Sequence, residues 1–168
     1  ILICGYAYPS RKRFMDNFFP LVSDKRVVLV GDGWEDRPVE NHKTQNLEET
    51  YRMHARAKTV VCLQRVFGDC SDGPVNPSSV CRGFMEGYSG PRVFLDKSRL
   101  VHPFEKDDVV WFDSPEDLSS KLHNYLGNSN SPDGNNYTLK CKQDFTYKTR
   151  LTRILYSIRA PRVLPVIP

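Results

Sequence analysis

Short apolar runs recur along the chain with helix-patterned segments between them. Ile1-Leu2-Ile3-Cys4, Val27-Val28-Leu29-Val30 and Thr59-Val60-Val61-Cys62-Leu63 carry almost no polar residue. A strand apolar on every residue must be covered on both faces, which is the condition of a parallel sheet with helices above and below. Arg92 to Leu95 and Val109 to Phe112 add two further strands of the same kind. Between them, Arg11 to Val22 has helical spacing at Phe14, Phe18 and Leu21, and Leu47 to Ala57 reads as a second helix. Strand, helix, strand, helix at this spacing predicts an α/β, Rossmann-like, three-layer domain with a mainly parallel sheet and right-handed crossovers.

Local punctuation agrees with that reading. Asn76-Pro77 is a helix start, an N-cap residue followed by proline, and the helix should run to about Tyr88 before Gly90-Pro91 stops it. Ser114-Pro115-Glu116-Asp117 starts another helix, with two carboxylates in its first turn, which should run to Leu126 and end at Gly127. Glu35 to Asn46, Gly68 to Asn76 and Asn128 to Asn136 read as loops, and Tyr137 to Ile158 as one or two closing helices. No repeat or long linker divides the chain. One domain over 1–159 is expected, followed by an extended tail, Ala160 to Pro168, with three prolines. The chain starts directly on a buried strand at Ile1 with no methionine. This suggests a domain cut from a longer polypeptide, with the missing part upstream.

Composition narrows the function classes. The 168 residues are enough to bury a core without disulfide staples, and no apolar run nears the about 18 residues of a membrane span. The net charge of +4 suits a small anionic ligand but is too weak and scattered to argue for nucleic acid. The basic runs, Arg11-Lys12-Arg13 and Lys140 to Arg153, read either as phosphate-facing patches or as solvated faces. Five cysteines, an odd number with no Cys-x-x-Cys pair, point to a reducing, cytoplasmic compartment, and Cys4 and Cys62 serve as small hydrophobes. Neither the cysteines nor His42, His54, His102 and His123 have metal-ligand spacing, so no metal is expected.

Ligands of open parallel sheets bind beyond the carboxyl ends of the strands. The loops after Cys4, Val30, Leu63 and Leu95 are therefore the places to look. In the first, Gly5 precedes a basic helix start, so backbone N–H groups with Arg11 or Lys12 could meet a phosphate. The alternative is a tight turn with solvated charges, and the loop lacks the Gly-x-Gly-x-x-Gly spacing of dinucleotide binding. In the second, Gly31-Asp32-Gly33-Trp34, the glycines permit close backbone approach, and Trp34 either packs on a ligand or caps the sheet. Arg82 and Glu86 share one helix face, where Glu86 suits a ribose diol or merely an ion pair with Arg82. The helix start near Ser78 and Ser79 offers N–H groups to an anion. His102 follows a strand and could face the site, whereas His123 reads as structural. Spacing reveals no Ser/His/Asp arrangement.

The ordered set of these stretches resembles the C-terminal half of GT-B-fold glycosyltransferases, particularly the CgeB-like group. Gly5-Tyr6-Ala7-Tyr8-Pro9-Ser10-Arg11 is similar to the family's opening "G-x-x-Y-x-x-R" loop. Val28 to Trp34 resembles its "hydrophobic-G-x-G-W" element, and Arg82 to Glu86 its "R-x-F-E" helix. Phe104 to Leu126 resembles its strand-and-helix end, with Val109-Val110-Trp111-Phe112, Ser114, Glu116 and Leu118 in place, and Phe145 to Arg150 its "H-T-Y-x-x-R" stretch. The likeness runs from about residue 1 to 158.

The resemblance implies a nucleotide-diphosphate-sugar donor, a UDP- or GDP-sugar, at the strand ends and a hexosyltransferase-type reaction with no metal. Glu86 would bind the ribose; Arg11, Lys12, Ser78, Ser79 and Arg82 the diphosphate; Gly5, Gly33, Trp34, Asn41, Lys43 and Thr44 would lie along the base and its loops. The catalytic residue is unassigned, and the acceptor half would belong to an upstream domain of the same polypeptide. Two departures stand out: Arg82 to Glu86 is one residue longer than the motif, and Ser78 occupies the position where many such enzymes have a second glutamate. They leave a second reading, a binding or scaffolding module of the same fold without activity. A third reading is a nucleic-acid binder using Lys140 to Arg162.

Overall fold

The computed structural model describes residues 1–43, 46–63, 91–96, 109–128, 135–144, 146, 148–149, 151–152 and 155. The elements run β1 (Leu2–Cys4), α1 (Pro9–Phe18), a 3-10 turn (Phe19–Val22), β2 (Val28–Val30), β3 (Glu40–His42), α2 (Leu47–Arg56), β4 (Thr59–Cys62), β5 (Arg92–Asp96), β6 (Val110–Phe112), α3 (Pro115–Gly127) and α4 (Asn135–Asp144). Among the described residues six strands form one sheet in the order β3-β2-β1-β4-β5-β6, and each of their pairings is parallel. This is a Rossmann-like three-layer α/β fold.

Alternate side chains of the strands supply the two buried faces. Ile3, Leu29, Val61, Phe94 and Phe112 point to one face, where they meet Met15 and Phe18 of α1, Val22 of the 3-10 turn, and Leu118 and Leu122 of α3. Phe14 stacks obliquely on Phe112 at 5.9 Å, and Tyr125 meets Phe94 edge-on at 5.9 Å. The opposite face is covered in two parts. Met53 and Ala57 at the α2 end pack on Leu2, Cys4, Val28, Val30 and Val60. Cys141 of α4 packs with Cys62, Val93, Leu95, Val109 and Trp111. Cys4, Cys62 and Cys141 are buried and form no disulfide among the described residues, and each packs in the core as a small side chain.

Four features differ from the sequence reading, the first three for a local reason. α1 begins at Pro9 rather than Arg11, because proline at a first helical position gives up no hydrogen bond. It also ends at Phe18 rather than Val22. Pro20 cannot donate to the α-ladder, so the chain tightens into the 3-10 turn. Glu40-Asn41-His42, expected as loop, is the strand β3. It sits at the sheet edge with both faces largely open, so it carries no apolar run for the eye to find. α4 likewise starts two residues inside the expected loop, at Asn135.

The helix start read at Ser114 is formed, the one read at Asn76-Pro77 lies outside the described residues, and Asn46, read only as the end of a loop, caps α2. Asn46 accepts from the Glu49 N–H at 2.9 Å and opens α2. The Ser114 hydroxyl accepts from the Asp117 N–H at 3.1 Å, and the Asp117 carboxylate in turn accepts from the Asp113 N–H at 3.1 Å and from Lys121 at 2.7 Å. Among the described residues no helix is long and apolar enough to cross a membrane. Ser114→Ala is expected to lower the unfolding free energy by about 1 kcal/mol in a urea titration; no change would mean that Pro115 and the acidic first turn alone set the start of α3.

Candidate functional site

The strand order reverses beside β1. β2 and β3 lie on one side of it, and β4, β5 and β6 on the other. Ligands of such sheets bind in the crevice at this reversal, outside the carboxyl ends. Here the crevice is bounded by the exits of β1 (from Gly5), β2 (from Gly31) and β4 (Leu63).

The first two exits are fused by glycine. Gly31 has φ +141°, and a Cβ there would lie 2.6 Å from the Gly5 carbonyl carbon and closer still to its oxygen. Only glycine fits this approach. The Gly5 N–H donates to Val30 O at 2.7 Å, the Ala7 N–H to Asp32 O at 3.0 Å, and the Gly31 N–H to His42 O at 2.8 Å. Gly33, with φ +87°, passes Ala7 so closely that a Cβ would sit 3.1 Å from the alanine methyl. Trp34 completes the junction from below. It is 1% exposed, belongs to the α1–α3 core, and its indole N–H donates to Gly5 O at 2.6 Å. Of the two roles left open for Trp34, the structure places it in the core, with no open face for a ligand.

Arg11 crosses the reversal point. It is buried in the first turns of α1, and its guanidinium donates to Tyr6 O at 3.0 Å and to Leu63 O at 2.7 Å. It thereby ties the exit of β1 to the exit of β4. Its Cζ also lies 5.2 Å from the Tyr8 ring centroid. The expected phosphate ligand is therefore held here as a clamp on two backbone carbonyls. Lys12 is likewise engaged. Its ammonium pairs with Asp36 at 3.1 Å, and Arg37 joins Asp36 to Asp16 of α1. Arg13 alone of the basic run is well exposed.

The remaining expected residues divide. Asn41 is exposed on β3, its side-chain amide donating to Val39 O at 3.3 Å, and Lys43 is exposed just past the carboxyl end of that strand. Both are two strands from β1, roughly 10 Å away at the usual strand spacing. Thr44, Ser78, Ser79, Arg82, Glu86 and His102 lie outside the described residues.

Elsewhere, one arrangement escaped the sequence reading because Asp24 lies far in the chain from Ser119 and His123. Ser119 Oγ lies 3.3 Å from His123 Nδ1, and His123 Nε2 lies 3.4 Å from Asp24. It is a bracket between α3 and the 3-10 turn rather than a nucleophile and base. The serine hydroxyl already donates to Leu21 O at 3.1 Å, and the histidine Nδ1 faces Ser119 O at 2.9 Å. Two clefts of about 400 and 380 Å³ open at the amino edge of the sheet, around Arg26, Val27 and Glu40 and around Arg56 and Lys58. They lie opposite the reversal crevice. Among the described residues no three of His, Cys, Asp and Glu gather as metal ligands would.

Three surface carboxylates share one electrostatic direction. The Lys12 hydrogen bond holds Asp36 below its ordinary 3.8, Lys25 does the same for Asp24, and His42 and then Arg26 hold Glu40 below 4.5. Comparison with models of known protein families gives no match, and no curated protein is similar in sequence.

Gly31→Ala is expected to cost at least about 2 kcal/mol of unfolding free energy, from the strained φ and the clash with backbone. A loss under about 0.5 kcal/mol would show that the β1 and β2 exits can separate freely. The depressed carboxylates give the second expectation. Their contribution is present above about pH 5 and is lost as pH falls through the folded values. Asp36→Asn with Glu40→Gln should flatten the drop in urea midpoint between about pH 5 and 3; an equally steep drop would mean these exposed pairs add nothing.

Proposed function

We propose that this chain is the nucleotide-sugar-binding half of a glycosyltransferase of GT-B type. The observation that carries the reading is the coincidence of motif and place. The stretch resembling the family's opening loop, Gly5 to Arg11, lies at the point where the order of the parallel sheet reverses, and the stretch resembling its glycine–tryptophan element, Val28 to Trp34, is locked beside it. Within this reading Arg11 shapes the crevice by holding Tyr6 and Leu63 together.

With Arg11 committed to carbonyls, the charge of the diphosphate falls to Arg82 and to the N–H groups of the helix that the sequence predicts from near Ser78 and Ser79. Lys12 can join them by exchanging Asp36 for phosphate. Glu86 accepts the ribose hydroxyls. In transfer, the bond from the anomeric carbon to the diphosphate breaks, an acceptor group takes the sugar, and basic side chains with helix-end dipoles stabilise the departing diphosphate. The acceptor and its general base belong to a second, upstream half.

Calorimetric titration of the chain with UDP, GDP, UDP-glucose and GDP-mannose tests this. The expected result is weak binding of one nucleotide series, with Kd on the order of 0.1 mM, made about tenfold weaker by Glu86→Ala. No heat from any of the four, with the domain folded, rejects the reading. Binding that ignores Glu86→Ala favours a scaffolding module instead.

A further inference from the structure

Most large apolar side chains of the described residues are buried. The exposed ones are Tyr6, Leu21, Leu139, Leu151 and Leu155, and of these Tyr6 alone stands on a loop at the carboxyl edge of the sheet. The residue is 49% exposed. Its hydroxyl makes no hydrogen bond among the described residues. An aromatic left in water is ordinary when the backbone beneath it is loose. Here the backbone is fixed. Tyr6 O accepts from Arg11 at 3.0 Å and from the Tyr8 N–H at 3.0 Å, and the preceding residue, Gly5, is held by Val30 and Trp34. The Tyr6 ring also leans on the Tyr8 ring, with centroids 6.2 Å apart at 59°, and Tyr8 is backed in turn by the Arg11 guanidinium. The result is a ladder from a buried cation to an exposed ring, positioned at the reversal of the sheet before any ligand arrives. Such pre-organisation removes most of the entropic cost of ordering an aromatic contact on binding.

We propose that Tyr6 is the stacking platform for a ring of the ligand in this crevice, either the base or the sugar of a nucleotide sugar. The inference rests on the functional reading above and adds a contact residue to it. Tyr6 supplies a flat apolar face and a fixed position, while Arg11 acts as a positioning residue that holds the Tyr6 backbone. A ring ligand covers apolar surface there.

The test is titration of the wild-type chain, Tyr6→Ala and Tyr6→Phe with UDP, UDP-glucose, GDP and GDP-mannose, alongside urea unfolding of each. Because the residue is half exposed, Tyr6→Ala should leave the unfolding midpoint nearly unchanged. It should weaken binding roughly tenfold, the range of aromatic stacking on a base, while Tyr6→Phe keeps wild-type affinity. An equal loss for nucleotide and nucleotide sugar assigns the stacked ring to the base. A loss confined to the nucleotide sugar assigns it to the sugar. Unchanged affinity in Tyr6→Ala overturns the inference and leaves the functional reading standing. Tyr6→Phe as weak as Tyr6→Ala also overturns it, since the hydroxyl and not the ring would then make the contact. No binding by the wild type removes the functional reading, and this inference with it.

Discussion

The backbone of Gly31 lies against the carbonyl of Gly5 with no room for a side chain, and the geometry of the crevice follows from that contact. Parallel strands normally part where they leave the sheet. Here the exits of β1 and β2 stay joined, because Gly31 turns through a φ reserved for glycine and Trp34 donates into the same carbonyl from the core. The β1 loop is therefore drawn toward β2, and Arg11 is left to span the opening toward β4. Two glycines, one indole and one guanidinium fix three strand exits relative to one another. The packing of α1 and α3 beneath them holds the indole, so the core and the crevice share a residue.

This arrangement explains why charge alone was a poor guide to the site. Arg11 and Lys12 stand side by side in a basic run, yet they have different fates. The helix turns one inward, onto carbonyls, and the other outward, onto Asp36. A buried guanidinium satisfied by backbone oxygens defines shape. Only a residue whose partner is an exposed carboxylate, as with Lys12, can exchange that partner for an anionic ligand at small cost.

Much of the architecture was legible because parallel strands buried on both faces have to be apolar throughout. Val27 to Val30, Thr59 to Leu63 and Arg92 to Leu95 announced the strands in this way, and Ser114 marked its helix through a cap hydrogen bond, whereas the same cap at Asn46 went unread. β3 was not legible, since an edge strand with one neighbour and two open faces has no reason to be apolar. The split of the first helix was written in Pro20 but outweighed by the spacing of Phe14, Phe18 and Leu21. At the site, the glycines could be read from sequence, but the partners of Trp34 and Arg11 could not. Gly5 is 29 residues from Trp34, and Leu63 is 52 from Arg11, so only the fold brings them together. The exposure of Tyr6 is of the same kind, a consequence of how its neighbours are held.

The claim at the centre of this account is that a nucleotide binds at the reversal of the sheet, over the joined exits of β1 and β2. The most direct measurement is an NMR titration of the isotopically labelled chain with UDP and with GDP, following backbone amides. The account predicts that the largest shifts fall on Gly5, Tyr6, Ala7, Gly31 and Gly33, with those of Arg26, Arg56 and Lys58 at the amino edge unmoved. Shifts concentrated at the amino edge, or none on the glycine loops at saturating nucleotide, would contradict it.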